Sequence, residues 1–357
     1  MNPPGRTYRG ALVGASSLLG KELLTVLRER RFPLSSMVEI DAAANPQSTP
    51  ELPILDLEGD LSAPEFNREV HGDEIDLAFV AARPAVPPPF LRPESARPAL
   101  LIDLDDSLGE LRQEAPRIAL LETDSKQPSA GPAQQAIAAA HPATIVISLL
   151  LLRLAARAEL SSAVALMFAP ASHLGPRAIG ELQRQTVNLL GFQKIPRAVF
   201  GAQLAFNLLP QISGSGSAAM GAMETRVRGE LSRYLSGRTF LPALRVFQAP
   251  VFYSMAVSLY VETTGPLTPA QATEALAGEG VRLRRASEQA PSQLDATGTA
   301  EIAVGAVLAD PSRDHGLWIW AAADDLRLAA QNAVEIAERL TGQKSATRPA
   351  GARRKAV

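Results

Sequence analysis

Apolar residues along this chain follow two regimes that meet near residue 125. Before that point, short apolar runs recur at 9–13, 37–40, 77–80 and 99–102, each closed by Gly, Pro or polar residues. Runs this short and uninterrupted predict strands buried on both faces, as in a parallel sheet with crossover connections. Residues 18–27 carry apolar side chains at i, i+3 and i+4 spacing, which predicts a helix directly after the first strand. The proline-dense stretch 82–98 is predicted to be irregular, because each Pro fixes φ and removes a backbone donor.

Beyond residue 125 the periods lengthen. Helical patterns at 145–158 and 176–190 flank a strand-like 163–168. Ser213-Gly214-Ser215-Gly216-Ser217 reads as a flexible loop leading into a helix over 218–235. One or two strands are expected in 247–261, another at 317–321, and an amphipathic helix over 326–340. Thr268-Pro269-Ala270-Gln271 has the form of a capping box with Pro at the first helical position. The tail 342–357 is basic and apolar-poor, so disorder is its expected state.

Composition narrows the function classes. A net charge of -2 over 357 residues argues against a general nucleic-acid or anionic-membrane binder. The most apolar stretch, 144–152, is about half of the roughly 20 residues that a membrane span needs, and it is expected to be a buried helix. With no apolar targeting region at the N-terminus, a cytoplasmic protein is expected. The absence of any Cys rules out disulfides, thiolate metal sites and a thiol nucleophile supplied by this chain. His71, His141, His173 and His315 lack metal-ligand spacing, so no metal is expected.

The turn between the first strand and the first helix is Gly14-Ala15-Ser16-Ser17-Leu18-Leu19-Gly20. In a dinucleotide fold such a turn aims backbone N–H groups and a helix N-terminus at a pyrophosphate. Gly14, Ser16, Ser17, Leu18, Leu19 and Gly20 are therefore the candidate cofactor-binding residues, with Ser17 where a middle Gly is usual. Glu39 and Asp41 are the candidate acids for a ribose hydroxyl, and 42–47 offers no Arg for a 2′-phosphate. NAD fits these charges better than NADP. A strand-to-helix turn without ligand is the alternative.

Four stretches, in order and spanning nearly the whole chain, resemble the aspartate-semialdehyde dehydrogenase family, and within it the catalytically degenerate Usg-type paralogues. They are 13–24 with Arg31-Phe32-Pro33; Phe200-Gly201-Ala202-Gln203 through Pro210; Gln248-Ala249-Pro250-Val251-Phe252-Tyr253; and Ala323-Asp324-Asp325-Leu326-Arg327 with Ala333-Val334-Glu335-Ile336-Ala337-Glu338. The resemblance implies an α/β fold: a Rossmann-like NAD(P)-binding domain over 1–140 completed by a helix over 325–341, and an α+β dimerisation domain over 141–324. It also implies a homodimer and a phosphorylating, NADP-dependent dehydrogenase of aspartate semialdehyde.

Carried over residue by residue, the resemblance puts Pro142 in the place of the nucleophilic Cys, Met255 in that of the His acid/base, and Gln248 in that of the Arg that holds the substrate carboxylate. The phosphate-binding Arg is expected near Gly109, with Arg112 close by. Ala329 stands for a Gly that faces the nicotinamide, and Asp324-Asp325 for an Asp-Asn pair. Glu224 and Arg226 keep the character of the substrate- and phosphate-contacting pair. A covalent route needs an ionisable nucleophile, and a proton-transfer group alone is worth on the order of 10²–10⁴-fold. Their joint loss points away from that reaction.

Three functions stay open: a dimeric relative that binds a small molecule or a partner, an oxidoreductase acting on an aldehyde or oxo group without a covalent step, and a structural dimer with a filled cleft. A rebuilt site is conceivable at His141, Ser172 and His173, on loops expected to face each other. Tyr253, Trp318 and Trp320 are expected in the core or at the dimer interface.

Overall fold

A computed structural model describes residues 7–41, 74–84, 87–91, 98–109, 115–121, 135–285 and 288–343. Arg112 and residues 344–357 of the basic tail lie outside them. Within them, β1 (Tyr8–Val13), β2 (Leu34–Ile40), β3 (Leu77–Val80), β4 (Leu100–Asp103) and β5 (Gln135–Ala138) form a parallel sheet in the order β2-β1-β3-β4-β5. The inner strands β3 and β4 are buried at every position, as their uninterrupted apolar runs require. The edge strand β2 begins at Leu34 and includes exposed Ser35 and Ser36, which an edge tolerates and an apolar run does not reveal.

Side-chain alternation splits this sheet between two cores. Leu12, Phe79 and Ile102 point to the face covered by α1 (Leu18–Glu29) and by α7 (Asp325–Thr341), which returns from the far end of the sequence. Ala11, Val13, Val80 and Leu101 point to the other face, against Phe90 and Leu108. The α1–α7 contact also buries charge. Arg30, at the end of α1, makes two bonds to Glu338, Nε to Oε1 at 2.8 Å and Nη2 to Oε2 at 2.5 Å, with Glu335 at 3.6 Å. Arg327 reaches from α7 to Glu22 and Glu29. This is a Rossmann-like layer.

The second layer is a mixed sheet of β6 (Leu160–Ala169), β7 (Ala243–Gln248), β8 (Met255–Thr263), β9 (Val281–Leu283), β10 (Ile302–Ala309) and β11 (Gly316–Ala323), in the order β7-β6-β8-β11-β10-β9. Helices α2 (Pro142–Ala155), α4 (Ser217–Leu235) and α5 (Pro269–Leu276) cover one face; α3 (Pro176–Leu190) and the short α6 (Gln293–Ala296) complete the described helices. The apolar 144–152 falls inside α2 and is almost wholly buried. No helix among the described residues is long and apolar enough to cross a membrane.

Two local readings need correction. The helix read from 145 starts at Pro142, because His141 caps it and periodicity does not register caps. The 213–217 loop is held, not flexible: the N–H groups of Ser213, Ser215 and Gly216 donate to Phe200, Ala198 and Val199 carbonyls. A Cβ on Gly214 would stand 2.3 Å from the Val199 oxygen, so that glycine serves close packing. The Thr268–Gln271 capping box forms as its sequence predicts.

The Arg30 cluster makes a stability test. Arg30→Met strands Glu338 in the interior and is expected to cost about 3–5 kcal/mol in denaturant unfolding, most of it recovered in the double variant with Glu338→Leu.

Candidate functional site

A cleft of ≈ 530 Å³ opens where the C-terminal ends of the parallel strands meet α2, α3 and α4. The turn after β1 forms one wall. Gly14 has φ 81°, and a Cβ there would lie 2.7 Å from the Ala82 Cβ after β3; one on Gly20 would lie 2.2 Å from the Gly14 oxygen. Both glycines are therefore required for strand and helix to meet. Ser17 Oγ donates to the Gly14 carbonyl at 2.7 Å and accepts the Gly20 N–H at 2.9 Å, so its hydroxyl is committed to the turn as the cap of α1. The Ser16 N–H donates to Asp41 Oδ1 at 2.7 Å. An acid read from the sequence as a ribose contact thus occupies a donor of the turn. Ser17, Leu18 and Leu19 line the cleft, as does Ala329 of α7, without filling it.

The opposite wall is built on an ion pair. Arg226 of α4 donates through Nε to Glu230 Oε1 at 2.7 Å, through Nη1 to the Leu104 carbonyl at 3.0 Å, and through Nη2 to the Ala139 carbonyl at 3.1 Å. Glu230 Oε2 accepts the His141 N–H at 2.8 Å and the Thr144 hydroxyl at 2.7 Å, at the start of α2. Asp103, at the end of β4, accepts the N–H groups of Asp105 and Leu108 and so shapes the neighbouring loop. The sequence offered one signal for this junction, the i, i+4 spacing of Arg226 and Glu230.

His141 and His173 do face each other, edge to face with centroids 5.1 Å apart. Burial, then the neighbouring His173 and Arg226, hold His141 far below the usual imidazole range; burial and Arg226 hold His173 at about 4. Both rings are neutral at pH 7. His141 Nδ1 accepts the Ala143 N–H at 3.1 Å, which places its proton on Nε2. Ser172 is 4% exposed and its Oγ has no partner among the described residues, so no serine–histidine nucleophile–base bond is formed. Asp325 also lines the cleft; burial, then Asp324, pushes its carboxyl up to about 7, and its Oδ1 is unpartnered too.

The remaining sequence candidates part company here. Pro142 lines the cleft as the first residue of α2. Met255, Gln248 and Glu224 do not line it. Met255 is fully buried at the start of β8, within the second core and paired with Ala323. Gln248 is buried and donates from Nε2 to the Ala169 carbonyl at 2.9 Å. Glu224 bonds Arg228 at 2.7 Å and accepts the Val246 N–H. Two residues apart on a helix, Glu224 and Arg226 point about 200° apart, so one helix cannot bring both to one cleft. Gly109 lies outside the lining as well.

Comparison with known proteins places this geometry. Residues 151–328 match the family described as semialdehyde dehydrogenase, dimerisation domain. Over 93% of its length the chain is 28% identical to a USG-1 protein homolog of Azotobacter vinelandii, covering 97% of that protein. It is 27% identical over 93% of its length to an aspartate-semialdehyde dehydrogenase of Aquifex aeolicus, covering 98% of it. A solved structure of a probable aspartate-semialdehyde dehydrogenase from Pseudomonas aeruginosa superposes with a TM-score of 0.75 at 24% identity, covering 94% of this chain and 99% of that one. An aspartate semialdehyde dehydrogenase with NADP from Candida albicans superposes at 0.61 with 14% identity over the same shares, a likeness of fold alone.

Two outcomes follow from the charges. Arg226→Met leaves Glu230 unpaired and two carbonyls without donors, and is expected to cost about 3–5 kcal/mol in chemical denaturation. Asp325 has a folded pKa of about 7 against 3.8 unfolded, so the unfolded chain releases this proton first. Stability is lost as pH rises from about 4 to about 7, and the loss is complete above that. His173, at about 4 folded against 6.5, acts oppositely and adds stability as pH rises through most of that window. The melting-temperature advantage of Asp325→Asn over the parent is therefore expected to grow between pH 4 and 7 and then level off; an advantage independent of pH refutes the assignment.

Proposed function

We propose that this chain, which belongs to the semialdehyde dehydrogenase family, keeps the cleft as a ligand-binding site, lacks the phosphorylating dehydrogenase reaction, and works as a cytoplasmic homodimer. One observation carries this reading. The first turn of α2, where the family resemblance puts a nucleophilic Cys, presents Pro142 to the cleft, and the chain contains no thiol at all. Proline offers neither a nucleophile nor an N–H. Met255 and Gln248 hold the places of the acid/base and the carboxylate-binding Arg, and neither side chain carries a proton-transfer group or a cation. Glu224 and Arg226 then act in the framework, through Arg228 and Glu230, instead of as a substrate-binding remnant.

The open cleft beside the Gly14–Gly20 turn supports binding of NAD or NADP, and the Candida relative solved with NADP supports a dinucleotide there. Asp41 on the Ser16 N–H competes with a pyrophosphate for that donor, so weak affinity is expected. A second reading rests on the two neutral imidazoles and the Asp325 carboxyl: an NAD(P)-dependent oxidoreductase that polarises an aldehyde or oxo group by hydrogen bonding, since hydride transfer needs no thiol. The dimer reading draws on the uncovered face of the second sheet. There Phe168 stacks with Phe247 at 5.7 Å and meets Trp320 at a tilt at 5.8 Å, and Tyr260 meets Trp318 at 4.8 Å.

Calorimetric titration with NAD and NADP, paired with a 340 nm assay on aspartate semialdehyde and phosphate, tests both readings. Binding without turnover is expected; turnover of any aldehyde favours the second reading over the first. Sedimentation is expected to give a dimer at micromolar concentration and a monomer for Trp318→Arg, while a monomeric parent refutes the dimer.

A further inference from the structure

Two loops are pinned against the two sides of the Gly14–Gly20 turn. On one side the Gly14 N–H donates to the carbonyl of Ile40, the last residue of β2, at 2.7 Å, and the next residue, Asp41, accepts the Ser16 N–H through Oδ1 at 2.7 Å. On the other side the Ala81 N–H, just past β3, donates to the Val13 carbonyl at 2.9 Å. Ala82 then packs against the turn so closely that a Cβ on Gly14 would lie 2.7 Å from the Ala82 Cβ. With the strands in the order β2-β1-β3, the chain leaves β1 toward one side and returns on the other. Dinucleotides lie across such a switch point, the adenosine ribose toward the end of the second strand and the pyrophosphate over the turn.

Asp41 and Arg83 are charged residues that these two loops set there. Half-buried Asp41 spends one carboxylate oxygen on the turn, and its Oδ2 has no hydrogen bond among the described residues. A carboxylate oxygen so placed accepts a bond from a ribose hydroxyl, whereas the 2′-phosphate of NADP sets about two negative charges against it. Residues 42–47, next in sequence, contain neither Arg nor Lys to offset that repulsion. Glu39, the other acid at this end of β2, is exposed, has no bond to the turn, and lies two residues back, about 7 Å along the strand.

Arg83 supplies the opposite sign. Its backbone is fixed by an N–H bond to the Asp105 carboxylate and by the proline that follows it. Its side chain is exposed, lines the cleft and forms no ion pair among the described residues. Arg226, the other cation of the lining, is committed to Glu230 and two carbonyls, and the His141 and His173 rings are neutral. Arg83 is therefore the lining guanidinium left to meet a pyrophosphate beside the turn, which it can do with two parallel bonds. Asp105 and Asp106 share the lining and disfavour a second strongly anionic group. We propose that the site prefers NAD to NADP, with Asp41 excluding the 2′-phosphate and Arg83 neutralising the pyrophosphate. This rests on the dinucleotide-binding reading above and specifies the cofactor and the residues that select it.

Calorimetry on the full chain with NAD and with NADP, each up to about 10 mM, beyond which the free energy is too small for a specific site, reads the ratio of the two dissociation constants. NAD is expected to bind about tenfold or more tightly than NADP. Asp41→Asn keeps an oxygen for the Ser16 N–H and removes the charge; it is expected to bring the two dinucleotides to within about threefold of each other. Glu39→Gln is expected to leave the parent ratio as it is. Arg83→Met is expected to weaken both dinucleotides about tenfold, as for loss of one hydrogen bond between charged groups, with their ratio unchanged. Equal binding by the parent, or tighter binding of NADP, overturns the proposal. So does a ratio that Asp41→Asn leaves in place or that Glu39→Gln abolishes, or undiminished binding to Arg83→Met. Each of those results leaves the ligand-binding reading standing, whereas saturation of the parent by neither dinucleotide removes that reading and this proposal with it.

Discussion

The buried pair of Arg226 and Glu230 is the contact on which the cleft depends, because it joins the ends of two parallel strands to two helices of the other layer. Arg226 reaches across to the carbonyls of Leu104 and Ala139, which follow β4 and β5. Glu230 holds the start of α2 through the His141 N–H and the Thr144 hydroxyl. A buried ion pair is tolerated when its remaining donors and acceptors are also met. Here both carboxylate oxygens are engaged and the guanidinium bonds in three directions. The walls of the cleft are thereby set at a fixed spacing.

That contact also sets the electrostatics. A guanidinium committed to the framework is not available to an incoming anion, yet it stays close enough to help keep His141 and His173 neutral. The cleft therefore offers neutral hydrogen-bonding groups more than free positive charge. At the other wall, Asp41 meets the Ser16 N–H, one of the backbone donors that a turn of this form can offer an anion. Carboxylates of the protein thus stand where a strongly anionic ligand would look for partners, and selectivity passes to the less charged parts of the lining.

Much of the fold was legible in the sequence because burial dictates residue type over whole segments. The run 77–80 is a strand wholly inside a sheet, and the 176–190 periodicity is the helix α3. What escaped was set by single contacts. Caps moved the start of α2 to Pro142, and Gly214 turned out to be packed against Val199. The site was legible only in part. His141 and His173 were brought together as their loops suggested, but Asp103, Glu230 and the Asp41–Ser16 bond act through geometry that no spacing encodes. Residue-by-residue correspondence put Glu224 beside Arg226; side-chain direction on α4 separates them.

The departures from a covalent dehydrogenase lie in the backbone setting as well as in residue identity. Ser254, which precedes Met255, is fully buried, adopts φ 66°, bonds Thr297 through Oγ at 2.8 Å, and points its N–H at Asp325. A non-glycine residue in that conformation is retained only where its surroundings over-determine it. The following residue enters β8 with its side chain in the core, so an imidazole at 255 would begin among apolar neighbours and not on the cleft wall. Pro142 likewise belongs to a cap in which His141, Ala143 and Glu230 already satisfy one another. Each altered position is thus tied to neighbours that complete it. The cleft reads as a consistent arrangement with its own chemistry, in which the lining side-chain atoms left without a partner among the described residues are Ser172 Oγ and Asp325 Oδ1.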